Sequence, residues 1–435
     1  MFVQLSIANF LSFKEEITFS MVSSSLKDKK IEEEDVIFQP FESVRFNLLR
    51  SAVIYGANAS GKSNFCKALK FMRWFVLNSS TSTQVGEPID ILNFKLSSET
   101  EHTPSYFEII FIKNDFQYRY GFEADTKRVV TEWLFQKKLK TKSKELEIFY
   151  RHENEPISLH SKFKIGHDLV IKNMIRPNAL LLSVAAQFND QIANEIFEWF
   201  RDFKVLSGLT DENYLSYTMN LLQNESYRQR IIDFTKYADL GIDDLQINAT
   251  ETADEYAEEG WMLFEPPARK PTIGKEINSL ISIHQKFDVN SVEIEPVQFH
   301  FNKDESHGTI KYFGLAGPIL DTLDNGKVLA IDELDSKLHP LLTEKIISLF
   351  NSPVTNPKNA QLIFTTHDTN LLSTNQFRRD QIWFTQKNRY GASDLYALST
   401  YKVRNDASFE KDYLQGRYGA IPALRNFGKL FNLKT

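Results

Sequence analysis

The chain has 435 residues, 42% hydrophobic and 25% charged, with a formal net charge of −6. That balance excludes an intrinsically disordered polymer and leaves room for two or three domains with a sizeable core. No uncharged apolar run approaches the ~18 residues of a membrane span. The start Met1-Phe-Val-Gln-Leu-Ser-Ile also lacks the basic and apolar regions of a signal peptide. The single cysteine, Cys66, excludes an intrachain disulfide framework and an all-cysteine metal site. A small buried thiol and a reducing cytoplasm are expected.

Charge is unevenly spread. Residues 141–290 carry 16 Lys+Arg against 24 Asp+Glu, a balance of −8, which leaves +2 for the remainder. An acidic middle does not advertise a nucleic-acid groove, although it leaves room for a local basic patch.

In chain order, Val3, Leu5 and Ile7 alternate as on a half-buried strand, with Ile17–Val22 as a hairpin partner. Residues 27–42 are charged and read as a loop. Leu48–Tyr55 is an apolar strand that runs into Gly56-Ala57-Asn58-Ala59-Ser60-Gly61-Lys62-Ser63, and a helix follows from Asn64 to about Asn78. This is G-x-x-x-x-G-K-S in the strand–loop–helix setting the motif requires. Its glycines let several backbone N–H groups of residues 56–64 converge on a phosphate, with the helix N-terminus adding positive potential. Lys62 suits β- and γ-phosphate oxygens, and the Ser63 hydroxyl suits Mg²⁺. The residues Gly56, Asn58, Ser60, Gly61, Lys62, Ser63 and Asn64 are therefore the expected binding site for a nucleoside triphosphate.

Beyond the Ser/Thr/Gly-rich connection 79–88, the runs Tyr106–Ile112, Phe116–Phe122, Val129–Gln136 and Leu146–Tyr150 read as an antiparallel sheet broken by polar turns. Leu180–Gln187 reads as one more buried strand. From Asn189 the spacing turns helical, through Ile192, Ile196, Phe197, Trp199 and Phe200 and again over 220–240. The acidic segment 190–290 is thus expected to be a helical insertion between two halves of one nucleotide-binding sheet, with Glu251–Glu259 a solvated loop.

The second half supplies carboxylates. Lys327–Glu333 is an apolar strand ending in Asp332 and Glu333, and Gln361–Asp368 is another, ending in Thr-Thr-His367-Asp368. Buried parallel strands read as continuous apolar runs, and ligands sit at their carboxyl ends. Asp332 is placed to hold Mg²⁺ through water, and Glu333 to polarise the attacking water. His367 suits a γ-phosphate contact, or packing alone. Gln381–Thr385 and Leu395–Leu398 would complete the sheet.

In this order the motifs resemble the heads of ABC/SMC-type ATPases. More narrowly, Tyr55–Asn64, Ile331–Pro340 and Tyr413–Pro422 resemble the OLD-like AAA-family ATPases of bacterial phage defence, of which the RloA/AbiLi-like proteins are the nearest group. The resemblance implies an α/β fold: an ABC/SMC-type P-loop ATPase head, with a mixed sheet, an antiparallel β-lobe and an inserted helical subdomain. Residues 1–189 and 291–435 would form the two halves of the head around the insertion at 190–290. It also implies a head-to-head dimer or higher homo-oligomer that sandwiches ATP and Mg²⁺. In such heads a signature segment caps the γ-phosphate from the opposite subunit. Glu305-Ser306-His-Gly308-Thr309 stands where that segment belongs, keeping only its Ser-x-Gly, and plain helix capping would look the same. Gln187 corresponds to the lid glutamine that senses Mg²⁺, or is simply a polar strand end. Ser336–His339 would touch its twin across the dimer. The 413–422 tail has no derivable mechanism; Arg417 binds a partner or packs in a turn.

OLD-family nucleases fuse a metal-dependent nuclease after the histidine strand. Only 68 residues follow His367, too few for one once the last strands are counted. The reading is therefore a Mg²⁺-dependent ATPase switch of an anti-phage system, controlling a separately encoded effector. The alternatives are a RecF/SMC-like DNA-repair ATPase and a nucleotide-dependent assembly scaffold. ATP over GTP rests on the resemblance alone.

Overall fold

Val3, Leu5 and Ile7 lie on β1 (Phe2–Ala8), which pairs antiparallel with β2 (Ile17–Ser20). The computed structural model describes residues 1–26, 31–140, 143–209, 212–238, 241–250, 277–373, 376–403 and 408–422. β1 is enclosed on both faces rather than half-buried. Phe2, Leu5 and Ile7 join the main core, while Val3 joins a second cluster with Phe38, Val44 and Leu48.

The charged stretch expected as a loop holds a one-turn helix α1 (Glu33–Val36) and β3 (Ile37–Phe38), which pairs with β4 (Leu48–Leu49). The strand expected over Leu48–Tyr55 is consequently split, and β5 is Ser51–Tyr55. Arg50 sits at the break. Its buried guanidinium donates to the carbonyls of Glu34 (2.7 Å), Asp35 (3.1 Å) and Ile37 (3.0 Å) and to Asn359 Oδ1 (2.8 Å).

After the phosphate loop, α2 (Lys62–Asn78) leads into a meander of β6 (Ser105–Lys113), β7 (Phe116–Ala124), β8 (Val129–Lys138), β9 (Leu146–His152) and β10 (Ser158–Leu159). With β1 and β2 they form a seven-stranded antiparallel sheet in the order β10-β9-β8-β7-β6-β1-β2. α3 (Lys164–Ile171) follows.

Leu180–Gln187 is not a strand. Leu181–Gln187 form helix α4, with residues 181–186 all buried. A short apolar run fits either element. Here Ala185 and Ala186 favour the helix, and a distant group settles it: the buried Glu132 carboxylate of β8 accepts from Leu181 N (2.6 Å) and Leu182 N (3.0 Å). That anion satisfies N–H groups that a helix start leaves unpaired.

Residues 190–290 begin less like an insertion than expected. α5 (Gln191–Asp202), capped by Asp190, buries Ile196, Phe197, Trp199 and Phe200 in the N-terminal core. Then β11 (Lys204–Ser207) joins the central sheet. Two helices follow, α6 (Glu212–Leu222) and α7 (Glu225–Lys236), and then an antiparallel sheet of β12 (Ile242–Thr250), β13 (Ile277–Phe287) and β14 (Glu293–His300). The segment is therefore mixed rather than helical. Glu251–Glu259 lies outside the described residues.

α8 (Phe301–Asp304) precedes the long helix α9 (His307–Asn325), which carries Pro318 in its interior. Proline cannot donate to the carbonyl four residues back. Thr218 Oγ1 of α6 donates to that carbonyl, Gly314 O, instead. The approach is close enough that a Cβ on Gly314 would meet the Tyr214 ring at 2.8 Å.

β15 (Val328–Asp332), α10 (Pro340–Asn351), β16 (Gln361–Thr365), β17 (Ile382–Lys387), β18 (Ser393–Ala397) and α11 (Phe409–Leu414) complete the chain. The central sheet has the order β11-β15-β16-β5-β17-β18. All its neighbours are parallel except β18, which returns antiparallel to β17. Strands from residues 51–55 and 328–365 thus lie side by side, with their carboxyl ends on one edge. Among the described residues, no helix is long and apolar enough to cross a membrane.

Candidate functional site

That edge opens onto a cavity of about 750 Å³ lined by residues 58–64 together with Glu333, His367 and Lys387. β5 feeds the loop, and α2 begins at Lys62. Gly56 has no space for a side chain. A Cβ there would meet Ser60 Oγ, Thr385 O and Thr385 Oγ1, each at 2.5 Å. Gly61 has φ +125°, which L side chains rarely adopt.

Lys62 is almost wholly buried, and its ammonium donates to Gly56 O (2.7 Å) and Ala57 O (3.2 Å). The lysine is thereby folded back over the loop. Burial lowers its pKa, opposed by Glu333, Asp332 and Asp335. Of these three carboxylates, Glu333 lines the cavity.

β15 and β16 are parallel neighbours, with Ile331 opposite Phe364. Thr365, ending β16, organises the carboxylates: its Oγ1 donates to Asp332 Oδ1 (2.6 Å) and accepts from Glu333 N (2.7 Å). Glu333 itself has φ +53°, a left-handed conformation that is unusual for a long side chain. Asp335 continues the pattern, accepting from His367 N at 3.2 Å. Thr365→Val keeps shape but removes both hydroxyl bonds. It is expected to lower kcat about 10- to 100-fold while leaving the nucleotide Kd unchanged, which a kcat measurement beside a binding titration checks.

The oxygen donors suit Mg²⁺. Ser63 and Asp332 supply a hydroxyl and a carboxylate, and Mg²⁺ is commonly held by one or two such groups with phosphates and water. Among the described residues there is no group of three or more His, Cys, Asp or Glu side chains that could cage a metal.

Ser306, Gly308 and Gln187 are not among the lining residues, and neither are Gly56 and Asp332. Ser306 is the exposed N-cap of α9, with its Oγ accepting from Thr309 N at 3.1 Å. Gly308 abuts the loop after β15, where a Cβ would meet Lys337 O at 2.8 Å. The preceding Glu305 is held by Ser282 Oγ and His284 Nε2, both at 2.6 Å, which ties β13 to this segment. Gln187 ends α4, exposed. His339 of the loop 336–339 caps α10 through Leu341 N.

Several participants carry no sequence signature. Thr385 Oγ1 lies 2.6 Å from Ser60 Oγ, and Ser393 Oγ donates to Ser60 O (2.6 Å) and lies 2.8 Å from Ser12 Oγ, another hydroxyl. Asn64 Nδ2 also donates to Ser12 Oγ, at 2.7 Å. A hydroxyl lattice from β17, β18 and the N-terminal turn therefore braces the loop from behind. The tail adds packing. Tyr413 and Tyr418 stack on Phe384 with centroids at 5.3 and 5.7 Å, and Tyr413 contacts Tyr55. Arg417 forms an exposed ion pair with Asp412 at 2.8 Å. Cys66 is buried, and burial pushes its thiol pKa up, with the Asp332 carboxylate adding to the effect.

Residues 51–165 and 171–373 match the family described as "AAA domain, putative AbiEii toxin, Type IV TA system". The chain belongs to this family. It is accordingly an AAA-type, nucleotide-binding ATPase. No curated protein matches it. Among solved structures, the AAA-type ATPase is similar to the SMC head domain from Thermotoga maritima, at 13% identity and TM-score 0.37, with 91% of this chain and 98% of that one covered. It is also similar to the recombination mediator RecF with ATP, at 13% identity and TM-score 0.34, covering 91% and 99%.

Proposed function

We propose that the protein is a Mg²⁺-dependent ATP-hydrolysing switch of a bacterial anti-phage system, working as a head-to-head homodimer or an assembly of such dimers to control a separately encoded effector. The observation that carries the enzymatic part is the shared cavity of Lys62 and Glu333, groups 271 positions apart in the chain that parallel strands bring to one edge. On ATP binding Lys62 would exchange the Gly56 and Ala57 carbonyls for phosphate oxygens. Ser63 and Asp332 would hold Mg²⁺, which supplies charge neutralisation at the phosphates. Glu333 is the general base for the attacking water, with Thr365 fixing the backbone of the Asp332–Glu333 pair. His367 faces the γ-phosphate end. Gln187 is assigned the role of relaying Mg²⁺ occupancy to the neighbouring helices.

The dimer completes the site. Exposed Ser306 and the narrow Gly308 stand outside their own cavity, as groups that serve a partner's nucleotide would. The family description, naming a toxin and a type IV TA system, supports a defence role beside a second protein.

A complementation assay tests the shared site. Lys62→Ala disables a site in cis and Ser306→Arg disables one in trans, so each variant alone should be inactive. Mixed dimers regain one intact composite site, and an equal mixture should recover about a quarter of wild-type turnover. A mixture as inactive as its parts would count against the trans assignment.

A further inference from the structure

The cavity is cationic at two points, and the loop motif accounts for one. Lys387, the last residue of β17, lines the cavity with Lys62. Side chains two apart on a strand share a face. Thr385, two residues earlier, points at the phosphate loop through its 2.6 Å contact with Ser60 Oγ, so Lys387 is directed to the same side. Its cross-strand partner is Ser393, whose hydroxyl donates to Ser60 O. The end of the β17–β18 hairpin is thereby pinned to the loop by two hydroxyl contacts, and the base of Lys387 is fixed relative to the phosphate cradle. Its ammonium is exposed and has no hydrogen-bond or ion-pair partner among the described residues.

Sheet order says which part of the nucleotide this cation meets. β15 and β16 lie on one side of β5, and β17 lies on the other. Glu333 and His367 end or follow the first pair, so the γ-phosphate end is on that side. A triphosphate laid along residues 58–64 then brings its α-phosphate and nucleoside toward β17. We propose that Lys387 is a nucleotide-binding residue that pairs with the α-phosphate, opposite in polarity of placement to Lys62 at the β,γ end. The assignment rests on the loop being the nucleotide site.

An α-phosphate contact is made equally by ATP and ADP and is independent of hydrolysis. The test titrates full-length wild type, Lys387→Ala and Lys387→Arg by calorimetry with Mg²⁺ and, in turn, ATP, ADP and inorganic tripolyphosphate. Lys387→Ala should raise the Kd for ATP and for ADP by a similar factor, about tenfold for one charge-assisted contact. Lys387→Arg should stay close to wild type, and tripolyphosphate, whose third phosphate takes the α position, should also bind Lys387→Ala about tenfold more weakly. Because Lys387 is exposed at a strand end, the variants should melt with the wild type. Unchanged ATP affinity in Lys387→Ala, beside normal wild-type binding, overturns this assignment alone. A loss for ATP without one for ADP places the lysine at the γ end and overturns it, and a loss for both nucleotides with none for tripolyphosphate places it against the nucleoside and overturns it too. Wild type that binds none of the three ligands overturns the nucleotide site and this assignment with it.

Discussion

Glu333→Gln is expected to abolish steady-state ATP turnover, by about 10²- to 10⁴-fold, the range for removing a general base, while ATP still binds. Glutamine preserves the size and hydrogen-bonding reach of the side chain but cannot accept the proton of the attacking water. The backbone should not move, because Glu333 N is held by Thr365 Oγ1 and the left-handed turn at 333 is set by the chain rather than the carboxylate. The consequence for assembly is the opposite of a simple loss. ATP that cannot be cleaved should accumulate in the dimer interface, so the variant should run as a dimer or larger species with ATP and revert in ADP. Phosphate release and light scattering on one preparation read both effects. A variant that turns over normally would remove Glu333 from the chemistry. One that is inactive but never assembles would separate hydrolysis from the dimer.

The second large effect concerns stability. Lys311 of α9 is completely buried, and its ammonium donates to the carbonyls of Glu333 (3.2 Å), Leu334 (3.0 Å) and Ser336 (2.6 Å). One side chain therefore reaches three carbonyls of the loop that carries Glu333, and ties it to the helix capped by Ser306. Methionine fills the same stem volume but donates nothing. Lys311→Met takes this donor from the Leu334 and Ser336 carbonyls, while Glu333 O keeps its bond from Ser336 N (3.2 Å), and should cost about 3 kcal/mol. Thermal melting should show a drop of several degrees, and Lys311→Arg should recover much of it. A Lys311→Met protein as stable as wild type would mean that water or a neighbouring donor replaces the ammonium.

How much of this was readable in advance depended on the element. The strand before Gly56, the strand ending in Asp332 and the strand ending in Thr365 announced themselves because a parallel strand buried on both faces is apolar throughout. Their adjacency in space followed from the chemistry their ends share. Leu181–Gln187 failed for the same reason the others succeeded: a short apolar run has no period, and the carboxylate that makes it a helix stands on β8, at Glu132. β11 was hidden because four half-buried residues make too short a signal. The sheet of β12–β14 replaced an expected run of helix where acidic composition said little about periodicity. The bracing hydroxyls of Ser12, Thr385 and Ser393 had no signature at all. Single serines and threonines acquire meaning only when the fold brings residues 12, 60 and 393 within bonding distance. Lys387 belongs with them, legible as part of the cavity only once β17 is seen beside β5.

The most direct test of the account is a calorimetric titration of ATP with Mg²⁺ into the wild type and into Lys62→Ala. The account predicts saturable binding by the wild type, lost or weakened by orders of magnitude in the variant, with both proteins showing a cooperative melt in the absence of nucleotide. Equal affinity in the two proteins, or no heat of binding in either, would contradict it.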